Sequence, residues 1–400
     1  MKIAFIGQKG IPMKFGGVEK HVERLAVGLA KRGHQVFVYT RPWYTPRSLK
    51  VYQGVKLISL KSIKTKNFDA ITHTLRACFH ALKKDYDIIH FHGVGPSLLA
   101  WIPRLFKPSA RIIITFHCID RRHQKWGRFA RFILYLGEIT AVKFAHETIT
   151  VSKTLQMYCS EKYNANTTYI PNGIDLPKKI VANQIKKKYG LKKDGYILFL
   201  SRLVKHKGAQ YLIDAYNQLK TDLPSSSLAG LRQAGKKLVI AGGSAFTDDY
   251  IKEIKEQAKG NPNIIFTGNV TGGSTLWKEL YSNAYLMVHP SESEGLPIVV
   301  LEGMSFGLGV LVSDIPENME AINGGFGFSF YNKNIQDLKD KLQYLFDCPE
   351  LVKKVGADAR AHVEKNYNWK DIVVSVEQVY EEVLADHARV GSHQVRCVKC

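Results

Sequence analysis

The stretch from Lys2 to Tyr39, KIAFIGQKGIPMKFGGVEKHVERLAVGLAKRGHQVFVY, decides how the chain folds. Lys2 to Ile6 is a short β-rich run that ends in Gly7. After a loop, Val18, Val22, Leu25 and Leu29 recur at spacings of four, three and four, the stripe of an amphipathic helix. Gly33 closes that helix, and Val36 to Tyr39 reads as the next strand. A strand, a helix and a second strand in so few residues make one βα repeat.

The pattern recurs outward from there. Ile88 to Phe91, Arg111 to Phe116 and Thr148 to Val151 are β-branched runs bounded by glycine or polar residues, with helical stretches between them. Such alternation predicts a parallel sheet covered on both faces. Pro171-Asn172-Gly173-Ile174-Asp175 is turn chemistry, followed by the lysine-rich Lys178 to Lys193. Tyr196 to Leu200 opens a second series, continued by Lys237 to Ile240, Ile264 to Thr267, Leu286 to His289 and Gly309 to Val312. Thr221 to Gly235, rich in Ser, Leu and Gly, reads as a loop insertion. Ile372, Val373, Val376, Val379, Tyr380, Val383 and Leu384 mark a last long amphipathic helix. The expected organisation is α/β: Rossmann-like domains over residues 1–175 and 176–368 facing each other across a cleft, a helix over 369–388 crossing back to the first domain, and a tail over 389–400.

Composition removes other classes. The chain has 400 residues, 45% of them hydrophobic and 23% charged, which is globular composition. The first apolar run is too short for a signal peptide. The longest early stretch free of charge, Ile88 to Pro103, holds two histidines, two glycines and two prolines and is no membrane span. Six cysteines are too few for a disulfide scaffold. They read as a reducing, cytoplasmic setting. Cys397 and Cys400 form a lone C-x2-C, with His393 the one further ligand candidate nearby. The net charge is +22, unevenly placed: residues 1–175 carry 28 basic and 10 acidic side chains, and the remainder 29 and 25. The basic residues are scattered, without an aromatic platform or a nucleic-acid-reading motif, so no nucleic-acid partner is expected.

Three motifs carry chemistry. Gly16-Gly17, in a loop with Gly7 and Gly10, precedes a helix whose backbone N–H groups could approach a phosphate; a tight turn without ligand would use the same glycines. The spacing is not G-x-G-x-x-G, which disfavours a dinucleotide. Arg202 and Lys207 follow the Tyr196 to Leu200 strand and suit a diphosphate, although two solvated surface charges would read the same. Glu294 and Glu302 form an E-x7-E around Gly295-Leu296-Pro297. Pro297 places Glu294 on a loop and Glu302 in the helix that follows. Loop N–H groups aimed at a phosphate, with two carboxylates accepting from hydroxyls, suit a nucleotide sugar.

Taken in order with Gly268-Asn269-Val270 and Pro171 to Asp175, these motifs resemble retaining glycosyltransferases of family 4, which have the GT-B fold. The resemblance covers nearly the whole chain. Gly10-Ile11-Pro12 through Arg41, and Thr115 to Asp120 through Ser152, look like a rhamnosyltransferase-like subgroup that acts in bacterial surface polysaccharide assembly. The resemblance implies that Glu294 contacts donor-sugar hydroxyls, Glu302 the ribose, and Arg202 with Lys207 the diphosphate. It puts Gly16 and Gly17 over the phosphates and acceptor, Val270 beside the base, and His117 near the donor sugar. It also implies a route in which the leaving phosphate accepts the acceptor's proton. Gly242-Gly243-Ser244 departs from the commoner G-x-G.

No cofactor is expected; the donor is a UDP-, GDP- or dTDP-linked sugar, and the acceptor a glycan or polyprenyl-diphosphate-linked glycan. Asp85-Tyr86-Asp87 has the D-x-D form of metal-dependent transferases but precedes a strand, at the wrong sheet end, so no metal site is expected. A sugar-nucleotide epimerase or phosphorylase on a similar fold is the competing expectation. Arg121, Arg122, His123, Lys125, Arg128 and Arg131 form a dense basic segment after His117. Helical spacing would put Arg121, Lys125 and Arg128 on one face, toward anionic phospholipid at the inner leaflet or a lipid-linked pyrophosphate.

Overall fold

The computed structural model describes residues 1–65, 68–122, 126–219, 236–244 and 247–397, with side chains as far as residue 387. The chain divides into two compact units, Met1–Gly173 with Trp369–Cys400, and Ile174–Asn368.

The first unit is built on β1 (Lys2–Ile6), β2 (Gln35–Thr40), β3 (Val51–Tyr52), β4 (Val55–Ser59), β5 (Ile88–His92), β6 (Arg111–Phe116), β7 (Glu147–Thr150) and β8 (Thr168–Tyr169). They form one sheet in the order β3-β4-β2-β1-β5-β6-β7-β8. Every pair is parallel except the small β3–β4 hairpin. All residues of β5 and β6 are buried, which is why these strands read as continuous rather than alternating apolar runs. Helix α1 (Gly17–Lys31) lays Val22, Leu25, Ala26 and Leu29 into the core. Helices α2 (Phe68–Leu82), α3 (Trp101–Phe106), α4 (Arg128–Lys143) and α5 (Lys153–Tyr163) complete the layers used below.

The second unit holds β9 (Tyr196–Leu200), β10 (Lys237–Ala241), β11 (Ile264–Gly268), β12 (Leu286–His289), β13 (Gly309–Ser313) and β14 (Phe328–Phe330), all parallel in the order β11-β10-β9-β12-β13-β14. That is the doubly wound order, and it reverses between β9 and β12. Loops leaving those two strands run to opposite faces and leave a crevice at their carboxyl ends. Helices α6 (Ala209–Leu219), α7 (Thr275–Asn283) and α8 (Ile298–Ser305) flank that edge.

Helix α9 (Trp369–Cys397) returns to the first unit. Ile372, Val373, Val376, Val379 and Tyr380 join the core that α1 also fills. The helix extends past residue 388, where the sequence places a tail. Arg32 fastens it by an ion pair to Glu377, and His34 by a hydrogen bond to the same carboxylate, at 2.5 Å each. The expected insertion at Thr221 to Gly235, and the side chains of His393, Cys397 and Cys400, lie outside the described residues. Among the described residues, no helix is long and apolar enough to cross a membrane.

Candidate active site

The second unit gathers its candidate residues at the β9/β12 reversal. Arg202 lies in the loop after β9, exposed, its side chain making no hydrogen bond or ion pair among the described residues. Lys207 ends a 3-10 turn, Lys205–Lys207, and is buried. Gly208 follows at φ 76°, where a Cβ would sit 1.9 Å from the Pro290 carbonyl oxygen. Only glycine allows the β9 loop to lie against the β12 loop so closely. Two further bonds join the loops: the Glu292 N–H donates to the His206 carbonyl at 2.8 Å, and the Ser291 hydroxyl to the same carbonyl at 3.2 Å.

This closure brings Lys207 to Glu294. The ammonium donates to Oε1 of the carboxylate, and the same oxygen accepts from His289 Nε2 at 2.6 Å. Burial opposes ionisation of Glu294, but the Lys207 charge and the His289 bond outweigh it and hold the carboxyl well below the usual range. Burial lowers His289 more than Glu294 raises it, so a neutral imidazole donates here. Both partners bond Oε1, which leaves Oε2 able to accept a further hydrogen bond.

Gly295, Leu296 and Pro297 form a buried turn between Glu294 and α8. Pro297 caps α8 with no side-chain bond, so the first N–H groups of the helix face the loop. Glu302 lies one turn inside that helix, buried, its Oε2 accepting from the Tyr281 hydroxyl at 3.0 Å. The two carboxylates thus have different surroundings: Glu294 is neutralised by a cation, Glu302 is oriented by a phenol. Val270 stands half-buried beyond β11, at the carboxyl edge of the same sheet. Gly242 has φ 155°, and a Cβ there would meet the Ser201 carbonyl at 1.8 Å. The altered Gly242-Gly243-Ser244 string therefore keeps the glycine that the β9 loop needs.

In the first unit, Gly16 caps α1 and Gly17 begins it. A residue absent from the sequence reading stands there. Glu19 is buried with its carboxylate against Gly16, where a Cβ would lie 1.9 Å from Oε2. It accepts from the Lys9 N–H at 3.1 Å and the Lys9 ammonium at 3.0 Å. The helix N-terminus already faces a carboxylate of its own, so a phosphate at Gly16-Gly17 must compete with Glu19. His117 follows β6 and is 8% exposed. Its Nε2 lies 3.2 Å from Nδ1 of His92, the last residue of β5, and its ring 4.9 Å from that of His21 on α1.

The basic segment after His117 differs from the expected single helical face. Asp120–Arg122 is a 3-10 turn, and α4 begins only at Arg128. Arg121 turns inward to the buried Glu138 at 2.9 Å and the Tyr158 hydroxyl at 2.7 Å. His123 and Lys125 lie outside the described residues. The exposed group is Arg128, Phe129, Arg131 and Phe132 at the start of α4. Asp85 and Asp87 bond the Lys2 ammonium and N–H at 2.7 and 2.6 Å, at the amino ends of β1 and β5. That is the amino end of the first unit's own sheet, the end opposite the loop that carries His117.

Residues 15–178 match the model of the family "Glycosyltransferase Family 4", and residues 181–362 that of "Glycosyl transferases group 1". The chain belongs to the group 1 and family 4 glycosyltransferases. An uncharacterised glycosyltransferase of Methanocaldococcus jannaschii is 26% identical, over 95% of this chain and 98% of its own. The O-antigen chain mannosyltransferase C of Escherichia coli is 23% identical, over 96% and 99%. The Anabaena protein HepE, crystallised with UDP and glucose, superposes with a TM-score of 0.76 over 96% of this chain and 100% of its own, at 19% identity. The fold is GT-B, and the homologues of this glycosyltransferase include enzymes of polysaccharide biosynthesis.

Proposed function

We propose that this glycosyltransferase moves a sugar, with retention of configuration, from a nucleoside-diphosphate sugar to a glycan or lipid-linked glycan during surface polysaccharide assembly, in the manner of the rhamnosyltransferase-like subgroup. The observation that carries this reading is the Lys207–Glu294–His289 group at the β9/β12 reversal, with exposed Arg202 beside it in sequence and Glu302 on the helix that follows.

The chemistry follows from the charges. As the bond between the sugar carbon and the diphosphate lengthens, the sugar becomes oxocarbenium-like and negative charge grows on the leaving oxygen. Lys207 and Arg202 are the cations that receive it, which supports transfer without a divalent ion. Glu294 Oε2 accepts from a sugar hydroxyl, and Glu302 from the ribose. The first N–H groups of α8 face the diphosphate. His117, Gly16 and Gly17 serve the sugar and acceptor from the first unit, and Val270 the base. HepE binds UDP, which supports a nucleoside diphosphate as the donor class here. The exposed Arg128, Phe129, Arg131 and Phe132 form the face that meets an anionic membrane surface or a lipid-linked pyrophosphate.

Arg202→Ala provides the clean test. Its side chain is exposed and unpartnered, so stability should change by no more than about 0.5 kcal/mol. Transfer should fall about 100- to 1,000-fold. Full turnover by Arg202→Ala, and by Glu294→Gln, rejects the reading. Incubation with donor alone separates the alternatives: an epimerase converts the donor without acceptor, and a phosphorylase consumes it only with phosphate.

A further inference from the structure

We propose that His21, His92 and His117 together bind one borderline transition-metal ion, such as Zn2+, in the first unit. The three side chains come from separate elements: α1, the end of β5, and the first residue beyond β6. They are 2%, 2% and 8% exposed. One nitrogen from each lies within 4.8 Å of the others.

The ring geometry is that of a shared ligand set. Metal–nitrogen bonds of about 2.0–2.1 Å place imidazole centres about 3.2 Å from an ion, hence about 5–5.5 Å from one another. The ring centres here are separated by 4.9 Å (His21–His117), 5.5 Å (His92–His117) and 5.6 Å (His21–His92). His92 Nδ1 and His117 Nε2 are 3.2 Å apart, near the spacing of two nitrogens on a tetrahedral ion.

Hydrogen bonding points the same way. Asn172 Oδ1 lies 3.0 Å from His21 Nδ1. A carbonyl oxygen only accepts, so the proton of His21 sits on Nδ1 and the lone pair on Nε2. That Nε2 is buried without a partner. An outer carbonyl fixing the tautomer of a ligating histidine is the usual support of a metal site. Burial keeps the rings neutral, His21 lowered to about 4 and the other two well below their ordinary value, also by the neighbouring imidazoles. His90 packs beside His92 but is no ligand, because its nitrogens are taken by the Tyr380 hydroxyl at 2.6 Å and the Thr115 hydroxyl at 2.7 Å. Three imidazoles suit Zn2+, Co2+ or Ni2+ and leave one position for an anion such as hydroxide.

Transfer as proposed draws its positive charge from Lys207 and Arg202, so this ion is not one that the reaction uses. It would occupy His117, and one equivalent of Zn2+ is expected to inhibit.

The test does not require activity. Full-length protein, stripped with chelator, is titrated with Co2+ alone and read by the visible bands of four-coordinate cobalt. We expect saturation at one equivalent, displacement by Zn2+, loss of the bands in His21→Gln and in His92→Gln, and retention in the Cys397→Ser/Cys400→Ser double variant. Asn172→Ala, which leaves all three ligands in place, should weaken binding about 10- to 100-fold. Circular dichroism on each variant shows whether it has folded. The proposal is overturned if the wild type gives no saturable bands, if the bands survive in folded His21→Gln or His92→Gln, or if they vanish when the terminal cysteines are replaced.

Discussion

Glu294 shows how much one buried carboxylate depends on its partners. Its charge is tolerated because Lys207 and His289 share one of its oxygens. Lys207→Met removes the cation and leaves the carboxylate buried beside an imidazole alone. Breaking a buried pair in this way costs about 3–5 kcal/mol. Loss of activity in that variant would therefore mix chemistry with stability, whereas Arg202→Ala would not. The pH dependence has a definite sign. The folded value of Glu294 lies below its unfolded value of about 4.3. The pair's contribution is therefore whole at neutral pH and is lost as pH falls through about 4 toward the lower folded value. Lys207→Met should raise the folded value and flatten the acid limb, with its deficit largest at neutral pH and shrinking as pH falls, and Glu294→Gln added to it should recover part of the neutral-pH stability. Urea midpoints across pH 3 to 7 check this (about one unit below and three above the ordinary value); an unchanged acid limb in Lys207→Met refutes the pairing.

At the scale of elements, glycines decide where segments meet. Gly28 lets α1 lie against α9: a Cβ there would be 2.5 Å from a Val373 methyl group. Gly28→Leu should overpack that contact by about 1–3 kcal/mol and loosen the last helix. Hydrogen exchange on α9 measures this, and unchanged protection counts against the packing. Gly208→Ala meets backbone rather than a side chain, and at positive φ. It should part the β9 and β12 loops and weaken binding of UDP or another nucleoside diphosphate. Calorimetric titration shows it, and wild-type affinity rejects it. The strands that carry the site were legible because parallel strands leave continuous apolar runs, as in Tyr196–Leu200 and Leu286–His289. The Glu294 loop and the Glu302 helix were legible through Pro297. Other features were not. The β3–β4 hairpin turns on Gln53 and Gly54, both at positive φ, and glutamine is no turn signal. His289 reads from sequence as the polar end of a strand; its role exists only because the Gly208 contact folds Glu294 back over it. Gly173 reads as a turn residue, but it is also the one residue type that fits against the Trp369 ring, with a Cβ–ring approach of 2.4 Å. His21, His92 and Asn172 lie far apart in the chain and become one cluster only through the order of strands.

At the scale of the molecule, the positive excess belongs to residues 1–175, and the remainder is nearly balanced. The fold removes Arg121 from the exposed charge by pairing it with Glu138, and it leaves Arg128 and Arg131 at the amino end of α4. Cations at that end oppose the helix dipole, at about 0.3–1 kcal/mol each. Phe129 and Phe132 stand beside them 78% and 55% exposed, which costs apolar hydration as well. Both penalties disappear if the face meets an anionic lipid surface, with the rings in the headgroup boundary and the guanidiniums on phosphate. Each nearby basic residue then contributes about 1 kcal/mol, so Arg128→Gln/Arg131→Gln should weaken vesicle binding about 30-fold. Sedimentation with phosphatidylglycerol vesicles measures it, with phosphatidylcholine vesicles as the neutral comparison. Binding to the anionic vesicles should fall as salt rises past the physiological range, because the Debye length is then under about 8 Å. Phe129→Ala/Phe132→Ala should lower binding at every salt concentration, since the apolar contribution is not screened. Equal binding to both kinds of vesicle, or unchanged binding by the double glutamine variant, would remove the membrane role from this face and leave the charge asymmetry to the diphosphate of a lipid-linked acceptor.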